Sequence, residues 1–86
     1  MPSVEEVKLH LATSVDEARR AMVGIRGVTD QLDEALARLR LTALGSGHPS
    51  LVDAIARLEQ AKARLDDAHA LAGAAIDSAN AYRAIA

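Results

Sequence analysis

Asp66 and His69 stand three residues apart. On a helix that spacing places a carboxylate and an imidazole on one face. It is half of the acid–histidine pattern with which helical bundles hold zinc or a di-iron pair. A working site needs a second such pair at the same level, and the other histidines, His10 and His48, fall far from His69 along the chain. No metal ligand set is expected. The serines Ser14, Ser46, Ser50 and Ser78 have cap or surface explanations. The paired acids Asp33-Glu34 and Asp66-Asp67 are sequence neighbours and so diverge on a helix. General acid–base chemistry needs groups that converge on a cleft. The chain therefore reads as a non-enzyme, with no catalytic, metal-binding or cofactor-binding residue and no cofactor.

The stretch TALGSGHPSLVD, Thr42 to Asp53, concentrates two glycines, a histidine, a proline and two serines. It lacks the lysine and the spacing of a phosphate loop. It reads instead as a corner between helices, with the turn at 45–49. Gly45 or Gly47 is expected to supply a left-handed residue that ends the first helix. Pro49 and Ser50 then open the second, with Ser50 as N-cap and Asp53 three residues on. The chain start repeats this logic, with Ser3 as N-cap and Glu6 completing a capping box. Arg38, Arg40 and His48 sit where the negative end of a helix favours cations. Arg19, Arg20 and Arg26 form the densest basic cluster, but Asp16, Glu17 and Asp30 interleave with it at helical spacing, as in a solvated, salt-bridged face.

The elements that position these residues follow from composition and period. The chain has 86 residues, enough for a single domain spanning 1–86, and 50% are apolar. Alanine and leucine dominate, Tyr82 is the sole aromatic, and good helix formers outnumber β-branched residues, so the fold class is all-α. The net charge of −2, with both signs interspersed, argues against a nucleic-acid partner. No cysteine is present, which fits a reducing compartment. The acidic start, Met1 to Glu6, is unlike a signal peptide. The longest nearly uncharged run, Ala68–Ile76, is far short of the roughly 20 residues of a membrane span. A cytoplasmic protein without a membrane partner is expected; the alternative is export without a cleaved signal peptide.

Heptad rows counted from Val4 give row a as Val4, Leu11, Ala18, Ile25, Leu32 and Leu39. Row d is Val7, Ser14, Ala21, Val28, Ala35 and Thr42; row e is Lys8, Val15, Met22, Thr29, Leu36 and Ala43. Counted from Leu51, row a is Leu51, Leu58, Leu65, Ala72, Ala79 and Ala86, row d is Ala54, Ala61, Ala68, Ala75 and Tyr82, and row e adds Ile55 and Ile76. Two long antiparallel helices, about 3–44 and 50–85, are expected to form a hairpin, each arm roughly 55–60 Å long. Their apolar stripe is wider than two helices can cover, so a homodimer completing a four-helix bundle is expected. The alternative breaks or kinks the first helix near 24–27, where Gly24 and Gly27 fall.

If the hairpin turns at the glycine corner, residue i lies opposite roughly residue 94 − i, which places Ala68–Ile76 beside Ala18–Arg26. This waist is apolar on most sides, and such a helix is usually buried on most sides. The expected interface is Met22, Val23, Gly24, Ile25, Gly27, Val28, Leu71, Ala72, Gly73, Ala75 and Ile76. The partner expected is a second copy, or else another helical protein. Tyr82 is expected to plug the space between the arm ends. A small-molecule-binding bundle with an alanine-lined cavity is a third class of reading.

The segments PSVEEVK, GSGHPSLVDAIARLEQAK and LDDAHALAGAAIDSANAYRAIA resemble a group of short, uncharacterised actinomycete proteins. The balance of eight arginines to two lysines beside many alanines and glycines fits a high-GC genome. More distantly, the chain is similar to the WxG-type substrates of type VII secretion, which are helical hairpins of this length that associate as dimers. That likeness implies export. The sequence departs from the family at the corner, where Gly45, Ser46 and Gly47 stand without a tryptophan, and after Tyr82, where Ala86 replaces an acid.

Overall fold

The computed structural model describes residues 1–86. It is an antiparallel hairpin of two helices, α1 (Val4–Gly45, 42 residues) and α2 (Pro49–Ile85, 37 residues). The longest dimension is 63 Å. At a rise of about 1.5 Å per residue, that is the full length of α1 run straight. The helix therefore continues through Gly24 and Gly27, and the broken alternative is not found. Each glycine costs about 1 kcal/mol relative to alanine. Met22, Ile25 and Thr29, packed on the inner side, hold the turn that contains them.

The caps follow the sequence at one end and depart from it at the other. Ser3 is extended (φ −72°, ψ 164°), and its hydroxyl accepts from the Glu6 N–H at 3.2 Å. Only this half of the capping box forms, with no return bond from the Glu6 side chain. At the corner no residue has positive φ, so neither Gly45 nor Gly47 is the left-handed cap expected of it. Extended Ser46 (φ −155°, ψ 113°) ends α1 instead, its N–H donating to the Ala43 carbonyl at 3.2 Å. The N-cap of α2 is His48 rather than Ser50. Pro49 has the φ of a first helical residue and forces extended geometry on its predecessor. That is the geometry of an N-cap, and His48 adopts it (φ −60°, ψ 135°). Its Nδ1 accepts from the Ser50 N–H at 3.1 Å. Asp53, expected as the capping acid, accepts from Arg57 at 2.8 Å one turn further on.

The seam between the helices consists of rows a and e of both. The most buried side chains are Leu36 (2% exposed), Val15 (3%), Thr29 (7%) and Ile76 (7%), all on row e. Thr29 tolerates burial because its hydroxyl donates to the Ile25 carbonyl at 2.9 Å. A methyl built on Gly73 would lie 3.6 Å from Cε of Met22, and Lys62 pairs with Asp33 at 2.6 Å. Both pairs of numbers sum to 95, one away from the register read from the corner.

Candidate interaction surface

In an antiparallel pair whose seams are rows a and e, the two d rows come to lie on the same side. The two b rows (Glu5, Ala12, Arg19, Arg26, Asp33 and Arg40 on α1; Val52, Glu59, Asp66, Gly73 and Asn80 on α2) lie on the other. Contacts of both kinds are present. Arg40 and Glu59, both on row b, pair at 2.9 Å, and Lys62 reaches Asp33 of row b. Ser14 and Ala75, both on row d, rim a shallow cleft of about 170 Å³ whose other walls are Val15, Ala18, Ile76 and Ala79. The hairpin thus has one ion-paired side and one without a formal charge.

The uncharged side is also uncovered. Val28 is 45% exposed, Leu71 on the adjoining row 71%, and Tyr82 40%. Ser14, Ala21, Ala68 and Ala75 are exposed, while Val7, Ala35, Ala54 and Ala61 are half-buried. Thr42 at the corner end turns its hydroxyl back to the Arg38 carbonyl at 3.0 Å, which removes its polar demand from this surface. Tyr82 does not plug the open end as expected; row d carries it to the rim, because rows a and e already fill the seam. Leu9, Val23, Leu41 and Leu44 are exposed on the far side of α1.

The structure divides the residues expected to form the interface. Met22, Ile25, Ala72, Gly73 and Ile76 are half-buried or buried inside the hairpin's own seam. Val28, Ala75, Leu71 and Gly24 lie on or beside the uncharged side. Val23 and Gly27 point away from the seam altogether, and nothing lies within 4 Å of a methyl built on Gly24 or Gly27. What separates these groups is burial against the other helix. Sequence alone names rows a, d and e as apolar, but only the packed pair shows which row the other helix leaves open.

The remaining chemistry-bearing residues do not converge. No three His, Asp or Glu side chains are grouped as metal ligands. His69 is half-buried on row e, His10 is exposed, and His48 is the cap of α2. Arg19, Arg20 and Arg26 are exposed, and none has an acid within ion-pair distance, contrary to the salt-bridged face expected there; the ion pairs are Arg40–Glu59, Lys62–Asp33 and Arg57–Asp53. At the open end, Glu5, Lys8, Leu9, Asn80 and Arg83 line a wide depression of about 470 Å³ on the ion-paired side. No helix is long and apolar enough to cross a membrane.

These features define a class: an all-α antiparallel hairpin with one uncovered apolar flank. No family model, no curated protein and no solved structure matches the chain.

Proposed function

We propose that this protein is a non-enzymatic helical protein–protein interaction module that acts as a homodimer or higher bundle inside the cell. The observation that carries the reading is surface left unburied. Only 4 of 86 residues are buried, and the accessible surface is 6213 Å². A compact monomer of 9.0 kDa exposes about 4,900 Å² by the usual scaling. The radius of gyration, 19.3 Å, compares with about 12 Å for a compact domain of this length. The excess surface, on the order of 1,300 Å², exceeds the ~800 Å² that each partner buries in a standard interface. A chain of this length gains its missing core most readily from another helical surface.

Equilibrium sedimentation tests this. We expect a mass of twice 9.0 kDa or more, with a melting temperature that rises with protein concentration. A fully helical species at the single-chain mass across the concentration range overturns the homo-oligomer. The small-molecule reading has less support, because the apolar cleft of about 170 Å³ is smaller than the ~300 Å³ at which ligand pockets begin. The exported-hairpin reading draws on shape alone, and secretion that depends on a type VII ATPase would establish it.

A further inference from the structure

We propose that the second copy docks on the d-row side of the hairpin, apolar flank to apolar flank, leaving the ion-paired side and the outer side of α1 in water. This rests on the homo-oligomer reading above and names its surface. Two observations favour this side. Its d rows carry no formal charge, and the charges of the adjoining rows, Glu17, Arg38, Arg57 and Arg64, stand at its rim, so covering its centre strands no ion. It is self-complementary in shape: Leu71 protrudes on the α2 rim, 71% exposed, and Gly24 leaves open space at the same level on the α1 rim.

The exposed area favours a second copy over a small peptide. One hairpin's excess of roughly 1,300 Å² matches the share a protomer contributes to an obligate dimer. A four-helix bundle built this way buries rows a, d and e together, the full stripe written in the sequence. The small residues Ala21, Ala68 and Ala75 allow the two pairs of helices to approach closely.

The test compares single substitutions on different sides of the full-length protein, with mass read by equilibrium sedimentation and helicity by circular dichroism. Ala75→Glu and Leu71→Lys lie on the proposed surface, and Val23→Glu lies on the outer side. Leu71 is so exposed that its replacement leaves the hairpin seam untouched, which guards against a variant that merely fails to fold. We expect the wild type and Val23→Glu at no less than twice the single-chain mass, and Ala75→Glu and Leu71→Lys at the single-chain mass with helices retained. If the wild type associates but Val23→Glu alone dissociates it, the docking side is wrong while the homo-oligomer stands. If the wild type sediments as a single chain, both proposals fail.

Discussion

The two long sides of this hairpin are built from the same backbone and the same register, yet they do opposite things with it. On the b-row side, Arg40 meets Glu59, and Lys62 reaches across from row e to Asp33. Along the d rows, alanine, valine and serine meet water. The ion-paired side contributes little to stability, since exposed pairs are worth about 0–1 kcal/mol each. Its effect is on alignment, because a one-turn slip would set Arg40 and Lys62 beside the wrong neighbours. The apolar side contributes nothing until it is covered. One side pairs charges across the two helices, and the other is the surface on which we propose that a second copy docks.

The contrast depends on the seam between the sides, and the largest expected effect comes from removing it. Leu36 is the most fully buried side chain. Leu36→Ala should cost about 2–5 kcal/mol through lost transfer energy and the cavity left behind. Thermal or urea unfolding would show it. A loss below about 1 kcal/mol would mean that the two helices are held by something other than rows a and e.

The next effect separates the apolar flank from the outer side. Nothing lies near a methyl built on Gly24 or Gly27 in the single hairpin. Alanine at either position should raise helix stability by about 1 kcal/mol. Gly27 faces outward, so Gly27→Ala should deliver this gain whatever the oligomeric state. Gly24 borders the apolar flank, so Gly24→Ala should deliver less once a second copy occupies the space. Equal rises in melting temperature at high protein concentration would count against a covered flank.

What could be read in advance divides along the same line. The two helices, their antiparallel register and the Ser3 cap follow from periodicity and local cap chemistry, which act within a few residues. The choice of His48 over Ser50 as cap was also written locally, in the proline at 49, but a serine after a proline is the more familiar cap signal and obscured it. The expected left-handed glycine failed because extended Ser46 already ends the first helix and extended His48 opens the second, with no positive φ between them. The apolar waist was legible as composition. Its division into seam residues such as Met22 and Ile76 and open residues such as Val28 and Leu71 was not, because that depends on how far each helix rotates toward the other. Rotation of this kind is a property of the pair.

A smaller effect tests the ion-paired side directly. Asp33→Lys puts a like charge beside Lys62 and should lower the melting temperature slightly, less so at high salt. Adding Lys62→Glu should restore most of the loss by rebuilding the pair in reverse. If the double variant is no better than the sum of the singles in melting temperature, Asp33 and Lys62 do not interact in solution.

The smallest effect is a pH dependence of the same pair. The hydrogen bond to Asp33, and then the charge of Asp33, raise the Lys62 ammonium above its ordinary pKa, with Asp66 adding to the rise and desolvation and Arg40 opposing it. A group whose pKa is higher folded than unfolded stabilises the fold fully below the unfolded value, and that contribution is lost as pH rises through the folded value. The pair therefore leaves stability flat through neutral pH and adds a decline only on the alkaline limb. Other groups titrate there too, so the informative quantity is a difference. Asp33→Asn removes the acceptor charge and should make the alkaline decline shallower than in the wild type, with the two curves parallel at neutral pH. Parallel curves through the alkaline limb as well would show that the side chains, 37% and 48% exposed, are already separated by water. The register of the hairpin would then rest on its apolar seam alone, and the contrast between its two sides would reduce to what each leaves exposed.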